Sequence, residues 1–296
     1  MNARNLLLAF LFIIFIMAGG FLKAEKKIAV VASIAPQEYI IEKLAGSLVE
    51  VMVMIPAGAD PHTYEPKPEQ VRRLSAARLY FAIGGEFEKA WLPRFRAVNP
   101  EMTVVGTHER IRRLFSDHSH DSGHKHTGDH RHWGEDPHVW LAPPLMLLMA
   151  RDMAAKLMAI DPENHRLYAK NLAELSREIV DLDLELLALF AAIPENRKKM
   201  LVYHPAWAYF CLFYGLEQLA IEVEGKEPRP RDLQNLINTA KGLGLKTVFV
   251  EPGRSPRGAV VLARTIGAET VEIDPLSADW AENLRRVAHA VLASIK

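Results

Sequence analysis

Histidines crowd one stretch of this sequence, from Ser116 to Trp140, where His118, His120, His124, His126, His130 and His132 are spaced by small, polar and charged residues. A neutral imidazole offers an unprotonated nitrogen to a metal ion near neutral pH, and short histidine-rich tracts are metal-binding compositions. Almost no apolar residue precedes Trp133, so the tract at 117–132 cannot bury enough surface to offset its ordering entropy and reads as a surface loop. A solvated linker is the plainer reading of the tract alone. At Asp136-Pro137-His138-Val139-Trp140-Leu141 the composition changes, and one more histidine stands at the edge of an apolar segment able to hold it still. Histidine beside proline recurs at Asp60-Pro61-His62 and His204-Pro205, and Asp274-Pro275 follows a late β-type run. Three imidazoles (His62, His138, His204) and one carboxylate (Asp274) satisfy a tetrahedral zinc ion with no solvent position left open. Taken singly, each has a blander reading, since a lone histidine is more often a hydrogen-bonded structural residue and a lone Asp-Pro is usually a turn.

The elements that must position these residues alternate. Strand-type runs at 27–33, 49–55, 79–83 and 103–105 are interleaved with helical patterns starting at Pro36, Pro68 and Glu86, which predicts a parallel sheet covered on both faces. Ligands of such sheets bind at the carboxyl ends of the strands. The Pro-rich loop 56–68 puts His62 there, and His138 is likewise expected at a strand end of the first lobe, with His204 and Asp274 at strand ends of the second. Asp161-Pro162-Glu163 predicts a capped helix start, and no glycine or proline interrupts the chain from there to Ala192, about 45 Å of helix. Leu172, Leu175, Ile179, Leu182, Leu186 and Leu189 form one apolar stripe along it. Alternation then resumes, with strands predicted at 200–203, 218–221, 247–251 and 270–273. The expected fold is α/β: two lobes, each with a four-stranded parallel sheet flanked by helices, joined by one long rigid helix. The expected boundaries are 25–160 for the first lobe with its histidine loop, 161–193 for the linker and 194–296 for the second lobe.

Arg4, the apolar run Leu6 to Met17 and small residues beyond it match a secretory signal peptide over residues 1–24, which places the protein in the periplasm. The run is short for a membrane span. Its removal takes Arg4 and Lys23 from 36 basic residues and leaves 34 against 36 acids, a balance that excludes a nucleic-acid-binding surface. Cys211 is the single cysteine, so no internal disulfide supports this exported chain, and within its aromatic surroundings it reads as a small buried hydrophobe.

Pro56-Ala-Gly-Ala-Asp-Pro-His-Thr-Tyr-Glu-Pro-Lys-Pro68, Asp136-Pro-His-Val-Trp-Leu141, His204-Pro-Ala-Trp-Ala-Tyr-Phe210, Val250-Glu-Pro252 and Ile273-Asp-Pro-Leu276 together resemble the zinc-binding components of ABC import systems, the ZnuA-like group within the metal-binding lipoproteins and adhesins. The resemblance implies a monomeric solute-binding protein, not an enzyme, that holds Zn²⁺ between its lobes and delivers it to a membrane permease. It implies His62, His138 and His204 as ligands, with Asp274 at a position where family members differ. An imidazole at 204, where manganese-binding relatives carry glutamate, favours zinc over a harder ion. Manganese or another divalent metal, an adhesin or storage role, and an exported zinc hydrolase are the competing readings. The hydrolase needs an open coordination position and a general base, and no His-Glu-x-x-His helix occurs.

Overall fold

The computed structural model describes residues 27–117, 136–222, 226–252 and 257–295. Neither the signal-type segment nor His118, His120, His124, His126, His130 and His132 fall within them. The first sheet contains β1 (Ile28–Ile34), β2 (Val49–Ile55), β3 (Leu79–Ala82) and β4 (Thr103–Gly106) in the order β2-β1-β3-β4, all parallel. The second repeats this plan with β5 (Lys199–Val202), β6 (Glu217–Ala220), β7 (Thr247–Val250) and β8 (Glu269–Glu272) in the order β6-β5-β7-β8. In each sheet the order reverses beside the first strand, and the crevice outside such a switch point is where α/β sheets take ligands. Continuous apolar strands such as Leu79-Tyr-Phe-Ala82 are buried along their length, as expected of strands covered on both faces.

In the first lobe the helices are α1 (Ala35–Ala45), α2 (Pro68–Leu74), α3 (Glu86–Val98) and α4 (Glu109–Asp117), followed by α5 (Pro143–Ile160). A 3₁₀ turn at Pro162–Asn164 leads into α6 (His165–Ala191), so the long helix is present at the expected place. Asp161 does not cap it. Its Oδ2 instead accepts hydrogen bonds from the Asn164 side chain and the Tyr168 hydroxyl, because the first turn is 3₁₀ and the carboxylate faces inward. The second lobe carries α7 (Ala208–Tyr214), α8 (Pro230–Gly242), α9 (Arg257–Ile266) and α10 (Trp280–Ile295). Cys211 is buried there and directs its Sγ toward Met200 Sδ at 3.8 Å.

Helix α6 is fastened to both lobes. Tyr168, Leu175, Ile179, Leu182, Leu186 and Phe190 bury one stripe of it, at intervals of seven, four and three residues that keep them on one face. Toward its start, Asn171 donates to the Leu44 carbonyl at 2.8 Å and Glu178 pairs with Lys43, both partners lying on α1. Farther along, Asp183 accepts from the Tyr214 hydroxyl at 2.9 Å and Glu185 pairs with Arg285 at 2.8 Å, tying it to α7 and α10.

Two buried tryptophans join the lobes directly. The Trp140 indole donates to the Pro275 carbonyl at 2.7 Å, and the Trp280 indole donates to the Trp140 carbonyl at 2.7 Å. Since Trp140 follows His138 and Pro275 follows Asp274, this reciprocal pair fixes the His138 segment against the Asp274 segment.

Candidate metal centre

A cleft of about 480 Å³ opens between the two sheets at the carboxyl ends of their strands. His62, His138, His204 and Asp274 all line it, together with Glu251 and the turn 83–85. His62 sits on the loop after β2, where Gly58 adopts φ 76°, a left-handed turn open to glycine at no steric penalty. The loop is exposed, and the His62 backbone N–H donates to Asp60 Oδ1 at 3.0 Å. His204 follows β5 and is 8% exposed. Asp274 follows β8; its Oδ1 accepts from the Leu276 backbone N–H at 2.8 Å, while burial pushes its carboxyl above the ordinary carboxylate range. His138 differs from expectation. It stands not at a strand end but just before the 3₁₀ turn Val139–Leu141 that enters α5, where three buried apolar side chains anchor the segment.

The imidazoles converge in pairs. Ring centroids of His62 and His204 are 5.3 Å apart, those of His138 and His204 are 5.2 Å apart, and the Nε2 atoms of His138 and His204 approach to 3.4 Å. Behind them stand two carboxylates. Asp136 Oδ1 lies 2.6 Å from His138 Nδ1 and also accepts the His138 backbone N–H at 2.9 Å, and Glu222 Oε1 lies 3.0 Å from His204 Nδ1. Among the described residues no three His, Cys, Asp or Glu side chains already close around one common metal position. His138 and His204 thus face each other, with His62 beside His204 on a loop and Asp274 also lining the cleft.

Sequence reasoning missed both backing carboxylates. Asp136 was within reach, because an aspartate two residues before a histidine can bond that residue's backbone N–H, as Asp60 does for His62. Glu222 carries no local signal.

A buried network supports the first-lobe rim. Glu88, 2% exposed, accepts from Ser33 Oγ at 2.5 Å, from the Ile83 N–H at 3.0 Å and from the Gly85 N–H at 3.0 Å. It therefore ties the end of β1 to the turn after β3 that lines the cleft. Burial raises the Glu88 carboxyl above its ordinary range against the opposing pull of those hydrogen bonds.

Two parallel-sheet lobes around a histidine-lined cleft, bridged by one long helix, define a two-lobed binding protein with the chemistry of a divalent-metal site. Residues 30–292 match the family model described as zinc-uptake complex component A, periplasmic, and the chain belongs to that family. It is 30% identical to the high-affinity zinc uptake system protein ZnuA of Bacillus subtilis over 84% of this chain and 79% of that one. Identity to the manganese ABC transporter substrate-binding lipoprotein PsaA of Streptococcus pneumoniae is 28%, over 77% of this chain and 73% of that one. Among solved structures it resembles a crystal structure of ZnuA with TM-score 0.81 and 38% identity, covering 92% of this chain and all of that one.

Proposed function

We propose that this protein captures Zn²⁺ in the periplasm and delivers it to the membrane permease of an ABC importer. His62, His138 and His204 serve as imidazole ligands and Asp274 as the fourth. The observation that carries this is the 3.4 Å approach of His138 Nε2 to His204 Nε2 while both Nδ1 atoms face carboxylates. A carboxylate accepts and does not donate, so each Nδ1 carries the ring proton and the two Nε2 lone pairs face each other. Between two neutral rings that encounter is repulsive, and a proton or a metal ion between the two nitrogens relieves it. A tetrahedral ion with Zn–N bonds of about 2.0–2.1 Å separates neighbouring ligand atoms by roughly 3.4 Å, whereas octahedral neighbours at the same bond length stand roughly 3.0 Å apart. Three nitrogen ligands also suit zinc better than an ion that prefers oxygen.

With Asp274 in place no coordination position is left for an activated water, so the site serves binding and not hydrolysis. The histidines from His118 to His132 add weaker zinc capacity, since a polar tract with almost no apolar residue must be ordered to form a site, at an entropic cost that a site on packed elements does not carry.

The test is competitive titration of the purified, chelator-stripped protein with Zn²⁺ and Mn²⁺. One tight Zn²⁺ equivalent, out-competing Mn²⁺ and surviving deletion of residues 117–132, is expected. Mn²⁺ binding as tight as Zn²⁺ would overturn the assignment to zinc, and loss of the tight equivalent on deletion would overturn the assignment to the cleft.

A further inference from the structure

We propose that Asp136 and Glu222 are positioning residues for metal capture, which hold His138 and His204 in the Nδ1–H form so that only Nε2 faces the cleft. This rests on the reading of those two histidines as ligands. A neutral imidazole has two interchangeable tautomers, and one of them presents an N–H to the metal and cannot bind. An acceptor on Nδ1 removes that form and fixes the ring plane, and such partners also raise the basicity of the ligating nitrogen.

The two carboxylates reach their histidines by different routes. Asp136 acts within one turn: Pro137 sets the backbone between them, and a single oxygen takes both the His138 backbone N–H and Nδ1. The same Asp-Pro-His spacing and the same backbone bond recur at Asp60 and His62. Glu222 acts across the sheet. β5 and β6 pair in register with Val202 opposite Ala220, so the chains leaving them place the residue two positions beyond each strand side by side: His204 beside Glu222. The Glu222 backbone N–H bonds the Tyr203 carbonyl at 2.9 Å, which continues the ladder to the site. A slip of one residue would send Glu222 to the other face, and the pair is therefore specified by strand register. At 6% exposure Glu222 stands in a place where a charged side chain is rarely tolerated without a specific partner.

The experiment compares Zn²⁺ affinity, by competition with a chromophoric chelator, in Glu222→Ala, Glu222→Gln, Asp136→Ala, Asp136→Asn and His204→Ala proteins. Imidazole ¹⁵N spectra of the metal-free proteins report the tautomers. The alanine variants should lose about 10- to 100-fold in affinity and show mixed tautomers at the histidine concerned. The amide variants, whose side-chain oxygen still accepts from Nδ1–H, should recover most of both. Wild-type affinity in Glu222→Ala and Asp136→Ala alongside a large loss in His204→Ala overturns the positioning role and leaves the ligand reading standing. Unchanged affinity in His204→Ala removes the ligand reading itself. Equal losses in alanine and amide variants with tautomers unmoved mean a purely structural role and also overturn the proposal. If Glu222→Ala does not fold, Asp136→Ala, half-buried in the other lobe, carries the test alone.

Discussion

Replacing His204 by alanine should do more damage than replacing His62, and the difference follows from where the two rings sit. A structural zinc site with four ligands contributes about 10–16 kcal/mol, so one ligand accounts for roughly 2.5–4 kcal/mol, or about 10²- to 10³-fold in affinity. His62 belongs at the lower end, because its loop is exposed and water can take the vacated position. His204 belongs at the upper end, being 8% exposed and flanked by both other imidazoles. Its removal has a second effect on the metal-free protein. Glu222, 6% exposed, loses the ring nitrogen at 3.0 Å, and a buried group deprived of a hydrogen-bond partner destabilises the fold by about 1–3 kcal/mol. Competition titration gives the first quantity and urea unfolding of the chelated protein the second. Adding Glu222→Gln to His204→Ala should restore stability without restoring affinity. The reasoning is refuted if His62→Ala weakens zinc more than His204→Ala, or if His204→Ala leaves both quantities at their wild-type values.

Trp140→Phe should lower stability by about 1–3 kcal/mol, since it leaves the Pro275 carbonyl without its indole donor at a buried junction; a shift of the urea midpoint at constant slope checks this. Glu88 yields a pH prediction. Its folded pKa is raised by burial, so the folded state holds the proton more tightly, and Glu88's contribution to stability is greatest in acid and lost as pH rises from about 4.5 through the raised value. The difference in stability between wild type and Glu88→Gln, measured across that interval, should therefore change in favour of the variant as pH rises; no pH dependence in that difference would contradict the burial argument. Scattering curves of metal-free and zinc-loaded protein should nearly superimpose, because α6 is fastened to both lobes, and a change of several Å in radius of gyration would contradict it.

Much of this architecture was legible because its signals are local and repeated. Eight short strand-type runs alternating with helical patterns announce two parallel sheets, and an uninterrupted apolar stripe announces the helix between them. His62, His138 and His204 stood out for a related reason: proline beside each makes a stiff turn of an otherwise ambiguous residue. What escaped depends on contacts between distant segments. Glu222 is one acid among several in Glu222-Val-Glu-Gly-Lys-Glu227, and only the pairing of β5 with β6 selects it. Trp140 and Trp280 are 140 residues apart and bond only once the lobes have met. Helix α4 is short and mostly charged, but Ile111, Leu114 and Phe115 stand at helical spacing, and Ile111 is fully buried.

The fastening of α6 has a mechanical meaning. Its polar attachments to α1 reach Glu178 and those to the second lobe start at Asp183, about one turn farther on, with Ile179 and Leu182 buried in between. A beam clamped at both ends and packed between them is stiff, and the reciprocal tryptophan bonds add a second connection between the lobes. Shape at the scale of whole lobes therefore conveys little about whether the cleft is loaded. On the proposed function, a permease that distinguishes full from empty would sense the rim itself, and the loop bearing His62 is an exposed part of that rim.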